Sequence, residues 1–218
     1  MLTYILLPIL IGILSGAVIN FCISKMPRDK QLPKLQPLSV MLLTTSAAFA
    51  SFQVSENSSE ITAALVFILC ATLIAITFID FEFKIIPDKI TLPGIIIGLI
   101  LGVVSEFFYN LPIPFTQGVI DSLLGLTVGA GLPLLFVYLY YLLTKKVGFG
   151  MGDIKLLGLF GACLGWRAIL PIFFISSILG SIFGIAYIII AKKNRRTEIP
   201  FGPYLAIGAI IYLFMLIP

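Results

Sequence analysis

Eight apolar stretches limit what this chain can fold into, because about 20 apolar residues are what a helix needs to cross a bilayer core. They lie at about Leu2–Ile23, Leu38–Phe52, Ile61–Ile79, Ile90–Phe108, Gly118–Leu143, Leu156–Trp166, Ala168–Ile190 and Phe201–Ile217. Eight crossings take up most of the 218 residues and leave no room for a separate domain. In lipid every backbone polar group must be satisfied within its own segment or a closed barrel, and runs of this length predict helices. The expected fold is therefore an all-α membrane protein, one polytopic bundle of about eight transmembrane helices over residues 1–218. Composition excludes a soluble globular domain: 60% of residues are hydrophobic and 11% charged, against roughly 25% charged in soluble domains.

The Leu156–Trp166 run is short for a crossing and reads alternatively as re-entrant, so charge must decide. The first run has no basic residue ahead of its apolar core and is too long for a signal-peptide core, which predicts a retained span. With both termini outside, the cytoplasmic loops hold Lys25, Arg28, Lys30 and Lys34, then Lys84 and Lys89, then Lys145, Lys146 and Lys155, then Lys192, Lys193, Arg195 and Arg196. That is every one of the 14 basic residues except Arg167. A re-entrant sixth run puts the Lys192–Arg196 cluster on the wrong side, so the positive-inside rule favours eight crossings. Glycines four apart, Gly12/Gly16, Gly94/Gly98/Gly102, Gly125/Gly129, Gly161/Gly165 and Gly180/Gly184, predict close helix packing. Pro87, Pro93, Pro200 and Pro203 mark span entrances, where a missing N–H costs little.

The chain has no histidine, which removes His-based general bases, Ser-His-Asp triads and His-ligated metals. Cys22, Cys70 and Cys163 sit in separate apolar runs with no paired spacing and read as core thiols, so no metal and no cofactor is expected. Net charge is +4, but in a membrane protein the sum means less than the side on which each charge sits, and nucleic acid is not an expected partner. Ionisable residues at membrane depth are the functional candidates. Asp121, near the outer end of the fifth span, reads as structural. Asp80 closes the third span and Asp153 opens the sixth within Gly-Phe-Gly-Met-Gly-Asp-Ile-Lys, which brings both to the cytoplasmic face.

Two carboxylates at one depth can share a proton, one taking a proton from water while the other donates to a peptide carbonyl. Gly150 and Gly152 leave room for a backbone, such as an extended substrate, to approach Asp153. The helix dipole favours Asp153 as the ionised base at an N-terminus and Asp80 as the protonated partner at a C-terminus. The plain alternative, two loop carboxylates paired with Lys84 and Lys155, stays open on spacing alone.

At these residues the chain resembles the type IV prepilin peptidases, GxGD-type aspartic proteases of the inner membrane. The resemblance rests on Asp80 followed by Pro87-Asp88, on Gly150-Met151-Gly152-Asp153-Ile154-Lys155-Leu156, and on Pro200-Phe201-Gly202-Pro203 before the last run. It covers about Ile61 to Pro218, and more loosely the first run with Asn20. It implies Asp80 and Asp153 as the catalytic pair, with Gly150, Gly152, Lys155, Asp88, Pro200, Phe201, Gly202 and Pro203 as substrate-binding or supporting positions. It also implies a multi-pass protein of the inner membrane, with lipids around it and its active site at the cytoplasmic face. The substrates it implies are prepilins or pseudopilin-like proteins of type IV pili and protein secretion, cut after a glycine between a basic leader and a hydrophobic helix.

Glu82, Asp88 and Glu198 read as solvated loop charges rather than as leader-binding groups. The loop between Ser24 and Pro37 lacks the cysteine pairs that hold zinc in longer relatives, which argues against zinc and leaves N-methyltransferase activity unsupported. A preflagellin-type leader peptidase is the alternative within the same chemistry. A small ion-coupled transporter is the alternative from another class, and it fits poorly because both aspartates lie at one face and no internal repeat is visible.

Overall fold

A computed structural model describes residues 2–24, 36–57, 60–108, 111, 115–145, 150–190 and 199–216. Among them the regular structure is helical throughout: α1 (Leu2–Ser24), α2 (Gln36–Asn57), α3 (Glu60–Phe83), α4 (Asp88–Phe107), α5 (Val119–Leu126), α6 (Leu132–Thr144), α7 (Met151–Leu164), α8 (Trp166–Ile190) and α9 (Gly202–Leu216). A π-turn, Thr127–Gly131, joins α5 to α6 in one continuous rod, Val119–Thr144. That rod, α3, α4 and α8 are, among the described residues, the helices long and apolar enough to cross a membrane. The all-α membrane class expected from the apolar runs is therefore what the chain forms.

The chain divides into two compact units, Met1–Lys84 with Pro218, and Ile85–Ile217. In the first, α1 and α2 pack through small residues. A Cβ on Gly12 meets the Thr45 backbone, and one on Gly16 meets Thr44 Oγ1 at 2.6 Å and Met41 Cα at 2.9 Å. The buried Thr44 hydroxyl lies 2.9 Å from the carbonyls of Gly12 and Val40, a polar tie between the two helices. On α3 the buried residues Thr62, Val66, Leu69, Leu73, Ile76 and Asp80 recur every three or four positions and so form one stripe. Ile61, Ile68 and Phe81 stand exposed on the other sides of the same helix.

The second unit is built around α7. Ile154 and every residue from Leu156 to Leu164 are buried. At 14 residues this helix is about 21 Å long, shorter than a hydrocarbon core of about 30 Å. It can be short and apolar because its neighbours, not lipid, cover it. One flank meets α4, where a Cβ on Gly98 comes within 2.7 Å of Ala162 and one on Gly94 strikes Leu159. The other flank meets α5 and the π-turn: Gly125 against Gly161, Gly129 against the Leu157 carbonyl, and Gly158 against Ala130. The glycine spacing thus predicts real helix contacts on both flanks.

Several expectations need correction. The sixth run was expected over Leu156–Trp166, but α7 begins at Met151 and ends at Leu164, since Asp153 and Lys155 break the apolar run without breaking the helix. Gly165 is therefore a helix end, and its backbone still packs on α5, where a Cβ on Gly125 would lie 2.9 Å from its carbonyl carbon. It has φ +79°, and the Asp121 carboxylate fills the space a side chain needs. Pro93 lies six residues into α4, beyond the first turn, where its missing N–H does forfeit a helical bond. Helix α3 runs on to Phe83, so Glu82 is on a helix and not in a loop. Cys70 and Cys163 are buried free thiols, as expected. The side chain of Cys22, and Lys25 to Lys34, Lys146, Lys192 to Arg196 and Glu198, lie outside the described residues.

Candidate active site

Asp80 is 5% exposed and occupies the last position of the buried stripe on α3, where the helical period calls for an apolar side chain. The helix ends one turn later: Lys84 adopts φ 54° and its N–H donates to the Asp80 carbonyl at 2.8 Å, a left-handed cap that satisfies one of the last carbonyls. A lysine there also places positive charge at the negative end of the helix. Lys145 ends α6 in the same way, with φ 57° and its N–H on the Tyr141 carbonyl at 2.8 Å.

Asp153 belongs to the second unit, in the first turn of α7. Gly150 is the N-cap residue, in extended conformation, so Asp153 stands at the third helical position. An acidic side chain at that position can turn back toward the cap. It does so here, since a Cβ on Gly150 would lie 2.7 Å from Asp153 Oδ2. Gly152 faces Ile86, whose Cβ would be 3.0 Å from an added Cβ. The two glycines expected to admit a substrate backbone thus have nearer partners: one leaves room for the carboxylate itself, the other seats the chain leading into α4.

Asp88 opens α4, and its Oδ1 lies 2.6 Å from Lys155 Nζ. The pair ties the first turn of α4 to that of α7 across 67 residues of sequence. With side chains 32% and 57% exposed, the pair is an orienting contact more than a stabilising one.

Pro200-Phe201-Gly202-Pro203 starts α9, with Gly202 and Pro203 buried. Its ring packs on α8: Phe201 lies edge-on to Phe173 at 6.5 Å, and a Cβ on Gly180 would meet it at 3.2 Å. Asp121 is structural, as expected. Its Oδ2 accepts from the Gln117 N–H at 3.0 Å and faces the Thr116 hydroxyl at 3.3 Å. Sequence reading missed Ser122, a fully buried residue whose hydroxyl donates to the Ala162 carbonyl at 2.8 Å and lies 3.2 Å from that of Gly98. One serine thereby links α5, α7 and α4, and nothing in its sequence context sets it apart.

Asp153, Gly150, Gly152, Asp88 and Lys155 thus converge within the second unit, and Asp80 is a buried carboxylate of the first. Comparison with known proteins addresses the chain as a whole. No solved structure matches it. The prepilin leader peptidase/N-methyltransferase of Legionella pneumophila is 39% identical over 181 residues, which is 82% of this chain and 58% of that protein. The proteins of the same name from Aeromonas salmonicida and Pseudomonas putida are 38% and 37% identical, over 67% and 77% of this chain and 47% and 55% of theirs. The chain therefore spans about half the length of the curated relatives it matches. A family model described as the type IV leader peptidase family matches residues 67–185, a segment that includes both Asp80 and Asp153. On that match the chain belongs to the type IV leader peptidase family.

Proposed function

We propose that the chain is an aspartic endopeptidase that removes the short basic leader from prepilin or pseudopilin-like membrane proteins. It cuts after a glycine at the cytoplasmic face of the inner membrane, with Asp80 and Asp153 as the reacting pair. The observation that carries the reading is Asp80: a carboxylate 5% exposed, at the end of a buried stripe otherwise apolar but for Thr62. Such a group is too costly to keep without a function.

In this reading Asp80, at the C-terminal end of α3, holds the shared proton, and Asp153, in the N-terminal turn of α7, is the ionised base. Asp153 takes a proton from water as the oxygen adds to the scissile carbonyl, and Asp80 gives its proton to the carbonyl oxygen. Collapse of the tetrahedral adduct breaks the C–N bond. The proton held by Asp153 passes to the leaving amine, and the carbonyl oxygen returns its proton to Asp80. No metal is needed. The eight-crossing topology, as one membrane domain with both termini outside, belongs to this proposal. So does the supporting role of Pro200–Pro203. The methyltransferase half of the relatives' name is left out of it.

The test is leader removal from a purified single-span substrate in lipid, by variants shown to fold. Asp80→Asn and Asp153→Asn should each cut at least about 1,000-fold more slowly, and the double change little more slowly still, because residues acting as a unit are non-additive. Glu82→Gln should cut at near wild-type rate. Near-normal cleavage by either well-folded Asn variant removes that aspartate from the reaction.

A further inference from the structure

The first turn of α7, which carries Asp153, is held loosely by its own helix. Its N-cap Gly150 supplies no side-chain cap, and the Ile154 N–H reaches the Gly150 carbonyl at 3.3 Å, against about 2.9–3.0 Å in a typical bond. Of residues 151 to 155 only Ile154 is buried. The start of α4 is the opposite case. Pro87 fixes φ at −68°, and its carbonyl accepts from the N–H groups of Ile90 at 3.0 Å and Thr91 at 3.2 Å. Ile86 and Thr91, on either side, are buried.

The firm end grips the loose one at two points. Ile86 packs on Gly152, its Cβ 3.0 Å from where a Gly152 Cβ would stand, and Asp88 Oδ1 lies 2.6 Å from Lys155 Nζ. Gly152 and Lys155 are three apart and so share the side of α7 that meets α4. Further along the two helices, Gly94 against Leu159 and Gly98 against Ala162 continue the same parallel register. Asp153 follows Gly152 and stands about 100° round the helix from it. One contact lies on each side of Asp153 in sequence, and the grip reaches it through the backbone turn that carries it.

We propose that Ile86, Pro87 and Asp88 form with Lys155 a clamp that sets the position of Asp153, and that Asp88 and Lys155 are positioning residues rather than a binding site for the leader. This rests on the leader-peptidase reading above. Lys155 already meets the charge of Asp88, which leaves that carboxylate little attraction for a basic segment. An ion pair this exposed adds little to stability, yet a shift of about 1 Å in a reacting group costs about 100-fold in rate. The clamp therefore shows in kcat and not in melting.

The test uses the full chain in phosphatidylethanolamine–phosphatidylglycerol vesicles and a substrate of basic leader, glycine and an apolar helix of about 20 residues. A second substrate has glutamine in place of all but one of the leader's basic residues. Lys155→Met and Asp88→Asn should each lower kcat about 20-fold with KM within about twofold of wild type, and by the same factor on both substrates. The double change should be no worse than either single one, because the two groups act as a unit. Lys155→Arg keeps the bond and should recover most of the loss. Lys89→Met removes the exposed charge next to Asp88 and should change neither constant. All of these variants should melt in detergent like the wild type. A rise in KM confined to the basic leader, with kcat kept, would make Asp88 a leader-binding group and overturn the clamp. Unchanged kcat in both single variants overturns it too, as does a loss of kcat that follows lowered melting and is not recovered by Lys155→Arg. Each of these outcomes leaves the peptidase standing. No cleavage of any leader-bearing substrate by the wild type overturns the peptidase reading, and the clamp with it.

Discussion

The two halves of the Val119–Thr144 rod are both apolar and behave in opposite ways. In α5 and the π-turn, Ser122, Gly125 and Gly129 are buried against α4 and α7, whereas in α6 nothing is buried. The difference is side-chain size. Residues 122 to 131 include one serine and three glycines, and residues 132 to 144 hold only proline, threonine and large apolar or aromatic side chains. Lipid tails are as apolar as leucine, so apolar surface alone gives helices no reason to associate in a bilayer. Association comes where backbones can touch or a polar side chain can bond across, and α5 has both. The lesson extends to α7, whose Gly158, Gly161 and Ala162 let it sit among its neighbours, and to the Gly12/Gly16 face of α1.

The contrast breaks most severely at Gly161. A leucine there has no space against the Gly125 carbonyl, so Gly161→Leu should destabilise the fold by about 3 kcal/mol or more. The check is thermal unfolding in detergent, and near-normal melting would mean that the α5–α7 contact does not hold this unit together. Gly150→Ala tests the other end of α7, where packing is looser but chemistry is proposed. Its Cβ, 2.7 Å from Asp153 Oδ2, should leave melting unchanged and slow cleavage roughly 100-fold, since small misplacements of a reacting group are costly. Unchanged cleavage would show that the position of that carboxylate is not critical.

Ser122→Ala removes the bond to the Ala162 carbonyl and should cost about 1 kcal/mol, the usual size of an interhelical bond in membranes. A loss as large as that of Gly161→Leu would shift the weight from backbone contact to hydrogen bonding. The smallest effect belongs to α6. Leu139, 47% exposed on a helix with no buried residue, should accept alanine within about 0.5 kcal/mol. A larger loss would mean that α6 is covered by packing in the membrane.

Much of this was readable before any coordinates, and the exceptions share a cause. Apolar length located the helices and charge interruption located Asp80 and Asp153, because both follow from the cost of placing polar groups in lipid. The start of α7 was misread because hydropathy falls at Asp153 and Lys155, although a helix carries charge readily in its first turn. The Asp88–Lys155 pair and the Ser122 link join residues far apart in sequence. No local pattern marks them.

The sequence by itself determined that this chain is a helical membrane protein, where its helices lie within a few residues, and which glycines touch. Tertiary structure alone decided which face of each helix is buried. A soluble helix shows its buried face by alternating apolar and polar residues, but on α3 Ile68 faces outward and Leu69 inward, and both are apolar. In a bilayer both faces are apolar, and only packing against a neighbour tells them apart.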